Sequence, residues 1–276
     1  MKDGIVLIDK PAGVTSFGVV ARVRRVLSLQ AGKKVKVGHT GTLDPFATGL
    51  MILVIGKECK NAGSYSKLDK EYLATIRLGQ VSSTGDPEGE IRLFTADAAG
   101  SSSSQNTLRG ASARPWRSAD GSKDPVTVSS DEEPESSVTA SMRSRVSSED
   151  RPVEVPSMDQ VEKVLQRLTG QIKQTPPQFS AIKIGGQRAY KLARKGEKVD
   201  IPKRQVTIYE LELLDYNYPS LKIRAKVSSG TYIRALAEDI GQALGTGAYC
   251  QELRRTKVAD WSVDEAKSLG DLGINN

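Results

Sequence analysis

The sequence predicts an α+β fold, with a mixed and largely antiparallel sheet flanked by helices. Three observations carry this. Apolar and polar residues alternate through 72–78 and 221–227, apolar residues recur at helical spacing in three other segments, and the order of these segments lacks the regular strand–helix–strand repeat of a parallel sheet.

GIVLID at 4–9 reads as a short buried strand, followed by a Lys10-Pro11-Ala12-Gly13 turn. Thr15 or Ser16 then caps a helix in which Val19, Val20, Val23, Val26 and Leu27 share a face and Arg22, Arg24 and Arg25 point elsewhere. The apolar run Leu50 to Ile55 is a buried strand. Tyr72, Ala74, Ile76 and Leu78 alternate with Leu73, Thr75 and Arg77 in another, which ends at Gly79. Further on, Met158, Val161, Val164, Leu165 and Leu168 mark an amphipathic helix stopping at Gly170. Val206, Ile208, Leu211 and Leu213 predict a strand with a slip in phase, and Leu221, Ile223, Ala225 and Val227 one with a clean alternation against Lys222, Arg224 and Lys226. After Ser228-Ser229-Gly230-Thr231 the spacing of Ile233, Leu236, Ala237, Ile240 and Leu244 becomes helical, with Gly245 just past the end.

Between these blocks, residues 101–150 hold fifteen serines and an acidic DEEPE at 131–135 without apolar periodicity. That composition reads as a disordered insertion. The expected organisation is therefore one folded domain made of 1–94 and 156–269, with 95–155 looping out. The insertion is net acidic, with seven Lys/Arg against ten Asp/Glu, so the remainder carries 33 basic and 23 acidic residues. A basic folded part suits a phosphate-rich partner.

No apolar run approaches the roughly 18 residues of a membrane span. The four apolar residues after Gly4 are too few for a signal-peptide core. Two distant cysteines, Cys59 and Cys250, outside any metal-ligand spacing, suggest neither disulfide framework nor zinc site. The expectation is a soluble cytoplasmic protein, a monomer without metal.

The stretch most unlike a structural filler is Gly38-His39-Thr40-Gly41-Thr42-Leu43-Asp44-Pro45, which holds the one histidine of the chain. Its glycines and proline make it a loop, and Pro45 disfavours helical geometry at Asp44, so this carboxylate sits on a bent, rigid backbone. On these residues alone, Asp-Pro is equally a turn former, the histidine a solvated surface group, and the loop a phosphate cradle without the Gly-Lys-Ser/Thr of a P-loop.

Six separated motifs decide among these readings. DKPAGVTS at 9–16, GHTGTLDPFATGLM at 38–51, KEY at 70–72, QTPPQFSAIK at 174–183, SSGTYIRALAEDIG at 228–241 and LRRT at 253–256 occur in order. Together they resemble the TruB family of tRNA pseudouridine synthases over nearly everything but the serine-rich segment. The resemblance implies a pseudouridine-synthase fold, a single catalytic domain, and isomerisation of the T-loop uridine of tRNA, at position 55, with base flipping. No cofactor and no obligatory protein partner are implied; the partner is the T arm of tRNA.

By the same resemblance Asp44 is the catalytic aspartate, as nucleophile or as base. Tyr72 stacks on the flipped uracil, and Arg234 pairs with Asp44 to keep it ionised. On its own, Tyr72 also reads as a core aromatic and Arg234 as a solvated helix residue. His39 matches the residue that enters the T-loop stack as the base leaves it. Gly41, Thr42, Tyr232 and Leu253 fall within the matching motifs as substrate-binding positions. Lys10, Lys183, Arg188, Arg254 and Arg255 are candidate phosphate contacts, each also explicable as surface charge.

Two departures stand out. The chain ends soon after VADWSVDEAKSL, which predicts a form without a C-terminal PUA domain. Phe179 replaces a tyrosine and Ser82-Ser83-Thr84 a Thr-Asp-Thr, so any hydrogen bond from the missing hydroxyl is open to question. Two competing readings stay in view: a non-catalytic RNA-binding or RNA-folding module, and the same chemistry on ribosomal or messenger RNA.

Overall fold

The computed structural model describes residues 3–95, 154–180, 182–193, 196 and 200–274. Most of 95–155, and with it the expected disordered insertion, lies outside the described residues. Up to residue 95 the elements are β1 (Gly4–Lys10), α1 (Ser16–Ala31), β2 (Val37–His39), β3 (Thr48–Ile55), α2 (Ala62–Ser66), β4 (Lys70–Leu78), β5 (Gln80–Ser82) and β6 (Ile91–Leu93). From 154 come α3 (Met158–Leu168), β7 (Gly170–Gln174), β8 (Lys183–Ile184), β9 (Gln187–Arg188), α4 (Ala189–Ala193) and β10 (Arg204–Asn217). The chain closes with β11 (Ser220–Val227), α5 (Ile233–Ala243), β12 (Ala248–Val258) and β13 (Trp261–Ser262).

One sheet of nine strands runs β1-β3-β12-β4-β11-β10-β7, with β2 added to β3 and β13 to β12. The β3–β12 pair is parallel and the others are antiparallel. Strands from the two sides of the serine-rich segment alternate, since β4 lies between β12 and β11. The helix starts follow their capping residues. Thr15 accepts a hydrogen bond from the Gly18 amide, and Ser157 forms a reciprocal capping box with Gln160.

The period of each strand tells where it lies. In β4, Tyr72, Ala74, Ile76 and Leu78 face the core with α5 packed near them, while in β3 seven successive residues from Gly49 to Ile55 are buried because both faces are covered. Met51 and Leu53 join the main core, and Leu50 and Ile52 pack with Val258, Val263 and Trp261 on the other face. The predicted phase slip in β10 is real: its register with β11 shifts between Ile208 and Glu210 and again between Leu213 and Asp215.

β12 was not expected from apolar spacing. It is nevertheless central, pairing with β4 along its length and with β3 through Arg254–Thr48 and Arg255–Gly49. The approach at Gly49 is close: a Cβ there would stand 2.3 Å from the Arg255 carbonyl oxygen, and its φ of 104° suits glycine. This crossing brings the LRRT segment of β12 beside the Asp44 loop.

Candidate functional site

The loop from Thr40 to Asp44 leaves β2, forms one wall of a cavity of about 230 Å³, and returns into β3. Ser16 fixes it from α1, donating its hydroxyl to the Leu43 carbonyl at 2.7 Å and accepting the Leu43 amide at 2.8 Å. The Lys10 ammonium donates to the carbonyls of Pro11, Val14 and Pro45 at 2.7, 2.7 and 3.1 Å, and the Gly13 amide donates to Pro45. The DKPAG turn thus clamps the residue that follows Asp44. Lys10 is fully buried, and burial pushes its pKa down to about 8.

Opposite the loop, α5 begins at Ile233, and Arg234 on its first turn is 3% exposed. Its Nε lies 3.0 Å from Asp44 Oδ2, an ion pair whose N–H is not aligned for a hydrogen bond. Nη1 donates to Asp86 Oδ2 at 2.9 Å and to the Thr84 carbonyl at 2.8 Å, and Nη2 donates to the Phe179 carbonyl at 2.9 Å. Asp86 is buried and accepts from the Thr84 hydroxyl at 2.6 Å and from the Glu88 amide at 3.0 Å. One guanidinium therefore serves two carboxylates and two carbonyls. Burial raises the Asp44 pKa, Arg234 opposes that rise, and the Asp86 charge adds to it.

The remaining walls come from strands. Tyr72 on β4 is 8% exposed, belongs to the main core and also lines the cavity, so the core and pocket readings both hold. Gly41, Thr42, Tyr232, Leu253 and Arg255 line it too. Gln174 holds Tyr232 by its backbone, accepting the Tyr232 amide at 2.8 Å and donating to its carbonyl at 3.1 Å, while Arg204 stacks 5.3 Å from the Tyr232 ring centroid. The volume is below the roughly 300 Å³ at which drug-sized sites begin. It suits one heterocycle with part of a sugar.

His39, at the end of β2, is not among the residues lining the cavity; its Nδ1 is buried without a hydrogen-bond partner among the described residues. Burial lowers its pKa, helped by Arg255 and Arg188. The predicted phosphate contacts separate. Lys10 and Arg255 are buried at 0% and 2% exposure and spend their donors on backbone carbonyls, Arg255 on Leu50 at 2.7 Å and Gly41 at 3.2 Å. For these two the surface-charge reading is corrected: they are internal cations that shape the loop, since leaving those carbonyls unpaired in the interior would be costly. Arg254 is half-exposed and paired with Asp9, Arg188 is exposed on β9, and the Lys183 side chain lies outside the described residues.

Asp86 and Gln174 were missed as site residues. Asp86 sits in a turn, Ser-Thr-Gly-Asp-Pro, with no apolar pattern to place it. Phe179 meets Arg234 through its backbone carbonyl, a contact that does not depend on the side chain at this position. Among the described residues no group of three or more His, Cys, Asp or Glu is placed to hold a metal ion, and no helix is long and apolar enough to cross a membrane.

The model of the TruB family pseudouridylate synthase N-terminal domain matches residues 24–113 and 134–233, and that of the tRNA pseudouridylate synthase B C-terminal domain matches 234–273. A protein of Phocaeicola vulgatus named tRNA pseudouridine synthase B is 39% identical over 270 residues, covering 97% of this chain and 91% of the relative. One of the same name in Thermobifida fusca is 37% identical, covering 99% and 75%. Among solved structures, a chain of a Cbf5-Nop10-Gar1 complex superposes with a TM-score of 0.59 at 25% identity; the match takes in 97% of this chain and about half, 53%, of that one. The chain belongs to the TruB family of pseudouridylate synthases.

Proposed function

We propose that the protein isomerises the T-loop uridine of tRNA to pseudouridine, with Asp44 as the catalytic residue. The observation that carries this is the Asp44 carboxylate held 3.0 Å from the Arg234 guanidinium at the wall of a cavity sized for one base. Pseudouridine formation breaks the glycosidic bond, turns the uracil and rejoins it to the ribose through carbon. The ring nitrogen released at the start gains a proton and the new bonding carbon loses one, so the reaction balances without redox change.

A carboxylate enters such a reaction by adding to the nucleoside or by removing a ribose proton, and both need its ionised form. Arg234 favours that form against the burial that opposes it. Tyr72 lies against the flipped base; its phenolic proton passes to the ring nitrogen released at the start, and it is restored by the proton taken from the new bonding carbon. Because a stacked base is out of reach of a pocket side chain, the uridine must first leave its loop, and His39 takes its place in the stack. A neutral imidazole, which the lowered pKa favours, stacks without adding charge. Arg188, exposed on β9, is a candidate for a phosphate, and Arg254 becomes one by exchanging Asp9 for it. Two unpaired cysteines suit a reducing cytoplasm.

The test is direct. An unmodified tRNA transcript incubated with the protein should gain pseudouridine at the T-loop uridine and at no other; an unmodified transcript after prolonged incubation, or modification elsewhere only, would overturn the reading.

A further inference from the structure

Lys70 opens β4 on the buried face that carries Tyr72 two residues on, and like Tyr72 it lines the catalytic cavity. It is 8% exposed. Its ammonium donates to the Ser66 carbonyl at 2.7 Å and to that of Leu68. Ser66 also belongs to the cavity wall, which places the charge there. An ammonium has three donors. Lys10 spends all of its own on carbonyls, whereas the third donor of Lys70 has no acceptor among the described residues. Nor does Lys70 form an ion pair within the described structure, and the neighbouring Asp69 accepts from the Tyr209 hydroxyl instead. Burial pulls the Lys70 pKa down to about 8, Arg255 adds to the fall and Asp69 opposes it.

Charge divides the site. At one end Arg234 holds both carboxylates, Asp44 and Asp86. At the Tyr72 side, Lys70 shares the strand face of the tyrosine and Arg255 stands opposite it in the register of β12 and β4, and neither cation meets a carboxylate. Keeping a buried cation without a counter-ion is costly, so a protein that does so at a cavity wall favours negative charge inside that cavity. The isomerisation produces such a charge. When the glycosidic bond breaks, its electron pair leaves with the ring nitrogen, and the released uracil is an anion whose charge spreads over that nitrogen and the two carbonyl oxygens. The ribose carbon is left electron-deficient on the Asp44 side.

We propose that Lys70 is a catalytic residue of the isomerisation, its remaining N–H and its charge stabilising the uracil anion until the ring nitrogen is protonated. This rests on the reading of the pocket as a uridine-isomerising site. Lys70 keeps its proton throughout, and no bond to it forms or breaks. Its attraction to the base grows as the charge develops, so it lowers the barrier more than it tightens binding.

The experiment compares the full chain with its K70Q and K70R variants. Single-turnover rates at saturating protein are measured on two tRNA transcripts, one with uridine and one with 5-fluorouridine at the T-loop position, as loss of the parent nucleoside after digestion of the RNA. The fluorine withdraws electron density and stabilises the same anion from within the ring. Lys70→Gln should slow the uridine transcript on the order of 10²-fold, and the fluorinated one by a factor about tenfold smaller, as the loss of one donor to a developing charge predicts. Its affinity for tRNA should stay near that of the parent. Lys70→Arg, which keeps the charge, should react faster than Lys70→Gln on uridine. The ratio of the two transcripts is taken on one preparation, so the folded fraction of a variant cancels. A role confined to the Ser66 and Leu68 carbonyls predicts equal slowing on both transcripts; that result, or Lys70→Gln reacting as fast as the parent, overturns the proposal. Pseudouridine formation by the unchanged protein on the uridine transcript reports on the pocket reading alone, so failure of that reading is seen separately.

Discussion

Asp44 and Asp86 meet different nitrogens of one guanidinium: Arg234 Nε stands 3.0 Å from the first and Nη1 2.9 Å from the second. Asp86 is the more deeply buried and is anchored by Thr84 and Glu88, so it acts as the fixed end of the arrangement and Asp44 as the end that faces the cavity. Arg234 transmits the position of one to the other.

Asp86→Asn should therefore reduce kcat while leaving tRNA affinity near normal. A displacement of Arg234 by about 1 Å is expected to cost on the order of 10²-fold. The Asp86 charge also raises the Asp44 pKa, so its removal should shift the acid limb of the kcat profile to lower pH. Steady-state kinetics across pH separate this from a merely structural loss, which would scale the profile without moving it.

Asp44 itself should show opposite signs for activity and stability. Its pKa in the fold is above the ordinary 3.8, so between the two values the folded state holds more protons than the unfolded one, and stability falls as pH rises through that window. Asp44→Asn, which cannot ionise, should abolish turnover yet leave the melting temperature equal or higher at neutral pH. Thermal unfolding of the two proteins checks this.

Arg234→Lys keeps the charge and loses the geometry. A lysine cannot span two carboxylates and the carbonyls of Thr84 and Phe179, so Asp86 would be left short of a partner in the interior. The expected cost is about 3 kcal/mol of stability by denaturant unfolding, with kcat down by on the order of 10²-fold.

Lys10→Met should uncouple loop geometry from charge at the surface. Three carbonyls lose the ammonium in a buried place; Pro45 keeps the Gly13 amide, and the loss at Pro11 and Val14 is worth about 2–6 kcal/mol in all. Because its partners include Pro45, the Asp44 loop should shift and kcat fall more than affinity. Equal salt slopes for the variant and the parent would accord with an internal cation; a shallower slope would return Lys10 to the role of phosphate contact.

Residue patterns made much of this legible, and the misses have physical causes. Strands β4 and β11 announce themselves because one face is core and the other solvated, and β10 even reveals its bulges as a phase slip. β12 does not, because bulges between Cys250 and Glu252 and between Arg255 and Lys257 break its period, and because Arg255 is buried on backbone carbonyls where an apolar residue would be expected. Asp44, Tyr72 and Arg234, though far apart in sequence, were found by motif and do converge on one cavity. Asp86 was hidden because burying a charge depends on a partner 148 positions away, which no local pattern encodes. The burial of Lys10 and Arg255 was hidden for the same reason: a lysine or arginine reads as surface until the carbonyls that bury it are known.

The most direct measurement is single-turnover conversion of an unmodified tRNA by Asp44→Asn at protein concentrations that saturate binding. With binding held within a few-fold of the parent, no pseudouridine should form at the T-loop uridine. Conversion at a rate near that of the parent would contradict the account, since the Asp44 carboxylate would then be a feature of the loop and not of the chemistry.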